Sequence, residues 1–301
     1  MSKYQIKSNL SEKQIEADVA SFFGWISKSA PFRLLDIDEK ITGADKKFFD
    51  SGFAFFMQFK VSNGLESVDN VPSSNRKNRS KLEDIREFRG RKGLDDDPTL
   101  YFELRKMAKN ANDYQHNLLM NYANTHCSQS FYVAPLHLDK TAYFNSLFGS
   151  VNRFMGHPFF YHSRRVFHRN WVYYIGHIPF LKEHISIVPH KRVHTHKHYY
   201  SYSTTGFDIA WHSPELLSEK PSRLGDILPA YINKCINEEA FVNFEEIEKM
   251  MKKDQIDSGF GDVHPIERVQ QGGRYIYKKY GIRLILLLAN RKYANQLKEN
   301  T

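Results

Sequence analysis

The spacing of apolar residues over the first sixty positions predicts one helix followed by three strands. Ser11 precedes four apolar residues at helical intervals, Ile15, Val19, Phe22 and Ile26, which indicates a serine-capped amphipathic helix of about four turns. The segments FRLLDIDE, GADKKFF and FAFFMQFKV then read as consecutive strands. The tight-turn sequence DSG between the last two predicts that they form an antiparallel hairpin.

The rest of the chain alternates polar loops with further helices and strands. Residues 66–98 are polar and charged, which predicts a solvated loop containing a short helix. A strand (TLYFELRKM), a helix over residues 112–124 and a strand (FYVAPL) follow in β-α-β order. We therefore expect an α/β (α+β) core, with a mixed central sheet flanked by helices, over residues 1–138. Residues 139–301 are rich in aromatic residues and histidine, and we expect them to form a C-terminal elaboration or accessory lobe.

The composition indicates a folded and basic protein. Of the 301 residues 41% are hydrophobic, and 43 Lys and Arg residues outnumber 34 Asp and Glu residues, which gives a formal net charge of +9. This excess of positive charge favours a polyanionic partner, although a solvated basic surface has the same composition.

Cysteine usage and hydropathy predict a soluble, cytoplasmic protein that does not insert into a membrane. Cys127 and Cys235 lack the spacing of metal ligands and are read as structural thiols in a reducing compartment. The N-terminal sequence lacks the apolar segment of a signal peptide, and the longest apolar run, Ile282–Ala289, is too short to span a bilayer.

Two polar residues stand where the apolar run of the third strand ends. Gln58 and Lys60 are two positions apart, so on a strand their side chains leave the sheet on the same face. In the predicted hairpin Asp45 lies opposite residue 57 or 58, which brings a carboxylate, an amide and an ammonium group together. Glu16 has apolar neighbours on its own helix face, and we expect it to lean over the sheet toward this group.

The expected cluster has the chemistry of a metal-dependent hydrolase. A carboxylate with nearby oxygen ligands holds Mg²⁺, and the backbone carbonyl of Phe59 can serve as a further ligand. Lys60 can orient or deprotonate a metal-bound water, or neutralise the charge that grows on a phosphodiester under attack.

The pattern resembles the PD-(D/E)xK nuclease superfamily, which has the restriction-endonuclease-like fold. Its core is a helix carrying a glutamate, followed by a hairpin carrying an aspartate and a (D/E)-x-K tripeptide, and some branches replace the second acid with glutamine. Carried over by position, Asp45 is the metal-binding aspartate, Gln58 the variant second ligand and Lys60 the catalytic lysine. Glu16 is then the helix glutamate, while GAD stands where the family has a proline before the aspartate. The resemblance covers about residues 11–138.

The resemblance implies an enzyme and its cofactor. We expect a Mg²⁺-dependent endodeoxyribonuclease, with Mn²⁺ as a substitute and with metal ligands from Glu16, Asp45, Gln58 and Phe59. Some nucleases of this superfamily also place a glutamine on the helix after the hairpin, and Gln115 has that place here. An exposed helical glutamine would fit the same sequence.

A basic segment follows the lysine strand and is expected to contact nucleic acid. It contains Arg76, Lys77, Arg79 and Lys81, whose point charges suit phosphate contacts without base recognition. DNA is the expected partner, with RNA left open. A nuclease without an evident specificity module would endanger its host. By analogy we therefore expect a setting in bacterial antiphage or mobile-element defence, with a regulating protein partner or a homo-oligomer.

Other interpretations of the sequence stay open. His194, His196 and His198 alternate, so on a strand they would share one face and invite a transition metal, but no cysteine or carboxylate completes the run. Histidines that pack on a polar sheet face or touch phosphate are the alternative. For the whole chain, the alternatives are a catalytically silent nucleic-acid-binding module and an interaction protein that senses a partner through residues 139–301.

Overall fold

The structure, a computed structural model, describes most of the chain. The described residues are 4–26, 32–36, 49–67, 80–94, 97–149, 164–168, 171–175, 181–212, 215–217, 221–237, 240–252 and 263–289. Within them the helices are α1 (Glu12–Ile26), α2 (Lys81–Arg91), α3 (Gln115–Tyr122), α4 (Lys140–Gly149), α5 (Leu224–Asn237), α6 (Phe244–Lys252) and α7 (Pro265–Tyr280).

Two of these helices begin at the signals that the sequence contains. The backbone N–H groups of α1 start by donating to the carbonyl of Ser11, and its apolar positions Ile15 and Val19 are fully buried. In α2, Ser80 and Glu83 form a reciprocal capping box, in which each side chain accepts a hydrogen bond from the other residue's backbone N–H. The predicted first helix, the short helix after residue 66 and the helix after residue 112 are therefore confirmed.

A seven-stranded mixed sheet forms the centre of the fold. Its strand order is β13-β9-β6-β3-β15-β2, with β14 paired to the start of β3. Only β3 and β6 are parallel to each other, and all the other pairs in this sheet are antiparallel. The strands are β2 (Phe32–Asp36), β3 (Ser51–Phe59), β6 (Ser128–Pro135), β9 (His184–Ile187), β13 (Ser222–Arg223), β14 (Val242–Asn243) and β15 (Arg283–Ala289).

A six-stranded antiparallel sheet packs against this centre, and a separate two-stranded sheet lies elsewhere in the chain. The six-stranded sheet has the order β1-β4-β5-β10-β11-β12. Its strands are β1 (Gln5–Ile6), β4 (Asn63–Leu65), β5 (Thr99–Glu103), β10 (Tyr199–Ser203), β11 (Ile209–His212) and β12 (Glu215–Leu216). The two-stranded sheet pairs β7 (Arg164–His168) with β8 (Trp171–Ile175).

The predicted hairpin is wrong. The Asp50-Ser51-Gly52 segment does not turn, because β3 already begins at Ser51. Residues 51–57 of β3 pair with β15 on one side, and on the other side β3 pairs first with β14 and then with β6. Over residues 54–57 both edges of β3 are therefore occupied, which leaves no place for the predicted hairpin partner. The physical reason is that every residue of β3 is buried, so it needs apolar neighbours on both sides, and the Leu-rich β15 supplies one of them.

The central sheet has two faces that can be told apart by the parity of β3. Phe53, Phe55, Met57 and Phe59 pack with Ile15 and Val19 of α1, and with residues of α4 and α5. We call this side the α1 face. Ala54 and Phe56 point the other way and pack with α3, α6, α7 and the six-stranded sheet. We call that side the α3 face.

Both large sheets draw strands from both sides of residue 138. In the central sheet β3 lies between β6 and β15, and in the six-stranded sheet β5 lies next to β10. The two halves of the chain are therefore interleaved in the core. The expected α/β class, with a mixed sheet flanked by helices, is confirmed. No helix in the described part of the chain combines the length and apolar character needed to cross a bilayer.

Candidate functional site

Gln58 and Gln115 form a buried pair of amides on the α3 face. Gln58 is 4% exposed at the end of β3, and Gln115 is 2% exposed as the first residue of α3. The side-chain N–H₂ of Gln115 donates to the side-chain oxygen of Gln58 and to the carbonyl of Tyr280 at the end of α7. The amide nitrogen of Gln58 donates to the Phe59 carbonyl over 2.7 Å. The expected proximity of Gln115 to Gln58 is therefore present.

One atom of this pair lacks a partner. The side-chain oxygen of Gln115 is buried and accepts no hydrogen bond in the described part of the structure. A buried acceptor without a donor is costly, typically by about 1–3 kcal/mol, unless a ligand or water supplies the missing hydrogen. The Gln115 oxygen is thus an available acceptor beside Gln58.

Lys60 follows the pair and is buried as well. Its backbone N–H continues the ladder to β6 by donating to the Val133 carbonyl over 2.9 Å, and the residue is only 7% exposed. Among the described residues its ammonium group makes no hydrogen bond or ion pair. Burial lowers the pKa of Lys60 from 10.5, and the nearby positive charge of Arg105 lowers it further, while Glu12 acts in the opposite sense. A buried amine with a lowered pKa is typical of functional sites.

Arg105 is a site residue that sequence reasoning missed. It follows β5, is exposed, and donates from Nη1 to the Tyr280 carbonyl over 2.6 Å. It thereby shares this acceptor with Gln115. The sequence LRKM gave no signal that distinguished this arginine from an ordinary surface cation.

Gly281 makes the close approach of Arg105 to the end of α7 sterically feasible. Its φ of 70° lies in the left-handed region, and its N–H caps α7 by donating to the Tyr277 carbonyl over 2.7 Å. A Cβ built at this position would lie 2.6 Å from Nη1 of Arg105 and 3.6 Å from the side-chain oxygen of Gln58. Glycine therefore fits both the backbone conformation and the close contact. The KKYG sequence is a helix-stop signal, so Gly281 could have been identified as a cap but not as a neighbour of Gln58.

Glu16 is engaged by residues from both faces of the central sheet. It accepts a hydrogen bond over 3.1 Å from the hydroxyl of Tyr277, which packs on the α3 face, and forms an ion pair of 3.3 Å with Arg283. Arg283 pairs with Met57 across the strands, and directly opposed residues share a face, so Arg283 belongs to the α1 face. The Glu16 carboxylate is therefore already bound by two protein groups. The carboxylate that acts on Lys60 is instead that of Glu12, one helical turn earlier.

Several of the predicted residues lie outside the described structure. Asp45, Arg76, Lys77 and Arg79 belong to this group, so the structure tests neither the metal aspartate nor most of the basic segment. Lys81 is described and is the first residue of α2.

The described residues do not by themselves form a magnesium site. The Gln58 oxygen and the Phe59 carbonyl both accept hydrogen bonds from amide groups, and the Glu16 carboxylate is engaged by Tyr277 and Arg283. No group of three His, Cys, Asp or Glu residues suited to a metal ion occurs within the described ranges. Within the described ranges, the charged groups that act on Lys60 are a second cation, Arg105, and the exposed carboxylate of Glu12. The charge balance of these described groups favours an anion more than a metal ion.

The alternating histidines are not on a strand. β10 begins at Tyr199, after the run, and each histidine has a different neighbour. His198 stacks on Trp211 with ring planes 5° apart, His196 lies 4.0 Å from a Glu103 oxygen, and the His194 carbonyl accepts from Tyr114. The run therefore does not converge on a metal.

His116 next to Gln115 has a structural role. Its Nε2 donates to the Lys191 carbonyl over 2.9 Å, which leaves Nδ1 to accept from the Tyr132 hydroxyl over 3.0 Å. Burial lowers the pKa of His116 to about 4, so the ring is neutral at physiological pH. With both nitrogens engaged, His116 is not available as a proton donor to a ligand.

A cavity of about 580 Å³ lies at the outer edge of the central sheet. Its walls come from β9, α5 and neighbouring segments, with Asn124, Ser186, His190, Ser222 and Tyr231 as polar members. None of its lining residues is Lys, Arg, Asp or Glu. It therefore lacks the fixed charges that phosphate recognition requires, and the Gln58 end of the sheet is the stronger candidate site.

The chain matches no protein-family model, no characterised protein and no solved structure.

Proposed function

We propose that this protein hydrolyses phosphodiester bonds of DNA at the Gln58 end of β3. The observation that carries the proposal is Lys60, which is only 7% exposed, has an ammonium group without a partner among the described residues and lies two positions from Gln58 of the Gln58–Gln115 pair. Burying an unpaired cation is unfavourable, so a protein that retains one usually uses it. A phosphodiester under attack develops negative charge, which a desolvated ammonium stabilises strongly.

The two glutamines support this chemistry in different ways. Gln58 is fixed by two hydrogen bonds, so it can hold Gln115 and the Phe59 carbonyl in one geometry. The unpartnered oxygen of Gln115 can accept a hydrogen from a water molecule and orient it toward phosphorus. Attack by that water forms one P–O bond and breaks another, which leaves a phosphate monoester on one strand end and a hydroxyl on the other.

Magnesium enters the proposal through Asp45. The oxygens of Gln58 and Phe59 are already hydrogen-bonded and that of Gln115 belongs to a neutral amide, so the resemblance to PD-(D/E)xK nucleases requires the Asp45 carboxylate as the principal ligand. A bound Mg²⁺ or Mn²⁺ would supply a Lewis acid for the phosphate oxygens.

A cleavage assay with matched variants tests the proposal. Supercoiled plasmid, single-stranded DNA and RNA are incubated with the full chain and Mg²⁺, Mn²⁺ or chelator. Wild type and Lys249→Met, which removes an exposed lysine of α6, should cut DNA with metal, whereas Lys60→Met should not. Methionine keeps the length of the side chain, and thermal unfolding reports whether each variant is folded. Cleavage by a folded Lys60→Met protein at the wild-type rate would refute the role of Lys60.

A second candidate function is nucleic-acid binding without cleavage. The observation that favours it is the engagement of Glu16 by Tyr277 and Arg283, which occupies one of the expected metal ligands. In that case the wild-type chain would bind labelled DNA but leave all three substrates intact with either metal.

A further inference from the structure

In the part of the chain that the structure describes, positive charge accumulates around the Tyr280 carbonyl without a matching carboxylate. Arg105 donates to this carbonyl and forms no ion pair within the described residues. Lys60 is close enough for the Arg105 charge to disfavour its protonation. The one carboxylate that acts on Lys60 is the exposed Glu12. Like charges held together in a partly desolvated place repel each other, and a bound anion would relieve that repulsion.

The guanidinium of Arg105 has capacity beyond its contact with Tyr280. One N–H group is sufficient to cap a carbonyl, and a guanidinium carries five in a planar fork. The contact fixes the Arg105 side chain next to Gly281. A Cβ atom built on Gly281 would lie within 4 Å of both Nη1 of Arg105 and the side-chain oxygen of Gln58. The remaining N–H groups are thus pre-positioned, and their planar arrangement matches the oxygens of a phosphate.

A second cation lies on the same helix end. The Nζ atom of Lys279 is 5.6 Å from the centre of the Tyr280 ring and donates a hydrogen bond to the Tyr275 hydroxyl over 2.7 Å. It forms no ion pair with a carboxylate among the described residues. Lys278 on α7 and Lys106 and Lys109 after β5 are exposed cations of the same two segments. Cations on two segments that meet at Tyr280 suit a chain of phosphates better than a single small anion.

We propose that Arg105 binds the phosphodiester backbone of nucleic acid at the entrance to Lys60, with Lys279 on an adjacent phosphate. This inference rests on the proposed function for the position of the reacting phosphate. It differs from the sequence prediction, because the contact surface is the end of α7 and the segment after β5, and not the basic segment around Arg76.

Binding measured without cleavage tests this inference. The Asp45→Asn chain in chelator is titrated with fluorescein-labelled single-stranded and duplex oligonucleotides, and anisotropy is recorded at several salt concentrations. Arg105→Gln should weaken binding by roughly tenfold to a hundredfold, the range for hydrogen bonds to charged groups, and reduce the salt slope by about one. Arg105→Lys keeps the charge and should lose less.

The control separates a specific contact from a general loss of charge. Lys249→Gln removes a cation from α6, which packs against Gly52 at the opposite end of β3, and should leave affinity and salt slope nearly unchanged. Inorganic phosphate competing with the oligonucleotide only at far higher concentration would support a polymeric ligand. Equal losses in Arg105→Gln and Lys249→Gln, or an unchanged salt slope in a folded Arg105→Gln chain, would overturn the inference.

The outcomes for the two proposals are distinguishable. Binding that depends on Arg105 together with no cleavage by wild type under any condition would refute the nuclease and retain the phosphate contact. Cleavage by the wild-type chain, together with wild-type binding affinity in Arg105→Gln, would retain the nuclease and refute the phosphate contact.

Discussion

Gln115 donates to Gln58 across 57 positions of sequence, and the same amide also holds the Tyr280 carbonyl. This hydrogen-bonded pair joins the end of β3, the start of α3 and the end of α7 at one place. Because β3 and α7 end at this junction and α3 begins there, side chains at the junction can contact a ligand while their backbone stays in the rigid core. The position of Lys60 depends on the same junction, because it immediately follows β3.

The first prediction concerns this junction. Gln115→Leu removes the donor to Gln58 and Tyr280, and it leaves the buried Gln58 oxygen without its partner. Tyr280 keeps its hydrogen bond from Arg105. Leucine also removes the unpartnered Gln115 oxygen, which offsets part of this cost. We therefore expect the free energy of unfolding to fall by about 1 kcal/mol in urea denaturation, together with loss of cleavage.

The matched control is Gln14→Leu on the exposed start of α1, where the side chain bonds only to Asp18. It should change stability by less than about 0.5 kcal/mol. A Gln115→Leu chain as stable and active as wild type would show that the amide pair has no organising role.

The second prediction concerns the charge of Lys60. Burial lowers the pKa of Lys60 in the folded chain below the ordinary value of 10.5 that it has in the unfolded chain. Between these two pKa values the unfolded chain therefore binds more protons than the folded chain. Stability therefore rises with pH through that window, and the cost of burying the cation is fully present below it. Lys60→Met should be more stable than wild type at neutral pH, and the difference should shrink as the pH approaches 10.5.

Urea midpoints from pH 7 to 10 for wild type, Lys60→Met and Lys249→Met measure this effect. Other groups titrate in the same range, and the exposed Lys249 corrects for them. An identical pH dependence in wild type and Lys60→Met would mean that Lys60 is not desolvated.

Local patterns predicted much of the secondary structure. The interval between Ile15 and Val19 gave α1, and the unbroken apolar run FAFFMQF gave β3, because side-chain periodicity is a property of a few adjacent residues. The meeting of Gln115 with the end of β3 was anticipated from a family pattern and is seen as a direct hydrogen bond.

Strand pairing over long distances was not predictable in this way. β3 and β15 are more than 220 positions apart, and neither sequence indicates which other apolar strand it will pair with. The turn-like DSG favoured a local hairpin, but burial of both faces of β3 made the pairing with Leu-rich β15 more favourable. The same long-range pairing brings Tyr280 and Gly281 to Gln58, so Arg105 could not be recognised from its own surroundings in sequence.

The third prediction compares two glycines with the same backbone conformation. Gly281 and Gly93 have φ values of 70° and 61°, so alanine at either position adopts the left-handed region at a cost of about 1–2 kcal/mol. At Gly93 an added Cβ meets nothing within 4 Å, whereas at Gly281 it meets Nη1 of Arg105 at 2.6 Å.

Gly281→Ala should therefore cost more stability than Gly93→Ala, by roughly the 0.5–1.5 kcal/mol of one hydrogen bond, as the guanidinium leaves the Tyr280 carbonyl. It should also weaken oligonucleotide binding, which Gly93→Ala should not do. Equal effects of both changes on stability and on binding would show that Arg105 does not depend on this contact.

The last prediction tests magnesium through stability instead of activity. Gln58→Glu removes the N–H₂ group that donates to the Phe59 carbonyl and places a buried carboxylate beside that oxygen. The lost hydrogen bond and the repulsion between the new carboxylate and the Phe59 oxygen should lower the free energy of unfolding at neutral pH, and the positive charges of Lys60 and Arg105 should offset part of this cost.

If Asp45 lies close enough to share a metal ion with residue 58, Mg²⁺ relieves the repulsion between the two carboxylates. Millimolar-range Mg²⁺, the order of magnitude expected for a site of few carboxylates, should then raise the melting temperature of Gln58→Glu more than that of wild type. Adding Asp45→Asn should abolish the extra gain. Gln270→Glu is the matched control. It places a carboxylate at a different buried glutamine, which lies on α7, and it should lose stability without responding to Mg²⁺. A Mg²⁺ response that persists in the Asp45→Asn background would exclude Asp45 as a ligand, and no response in Gln58→Glu would separate Gln58 from any metal site.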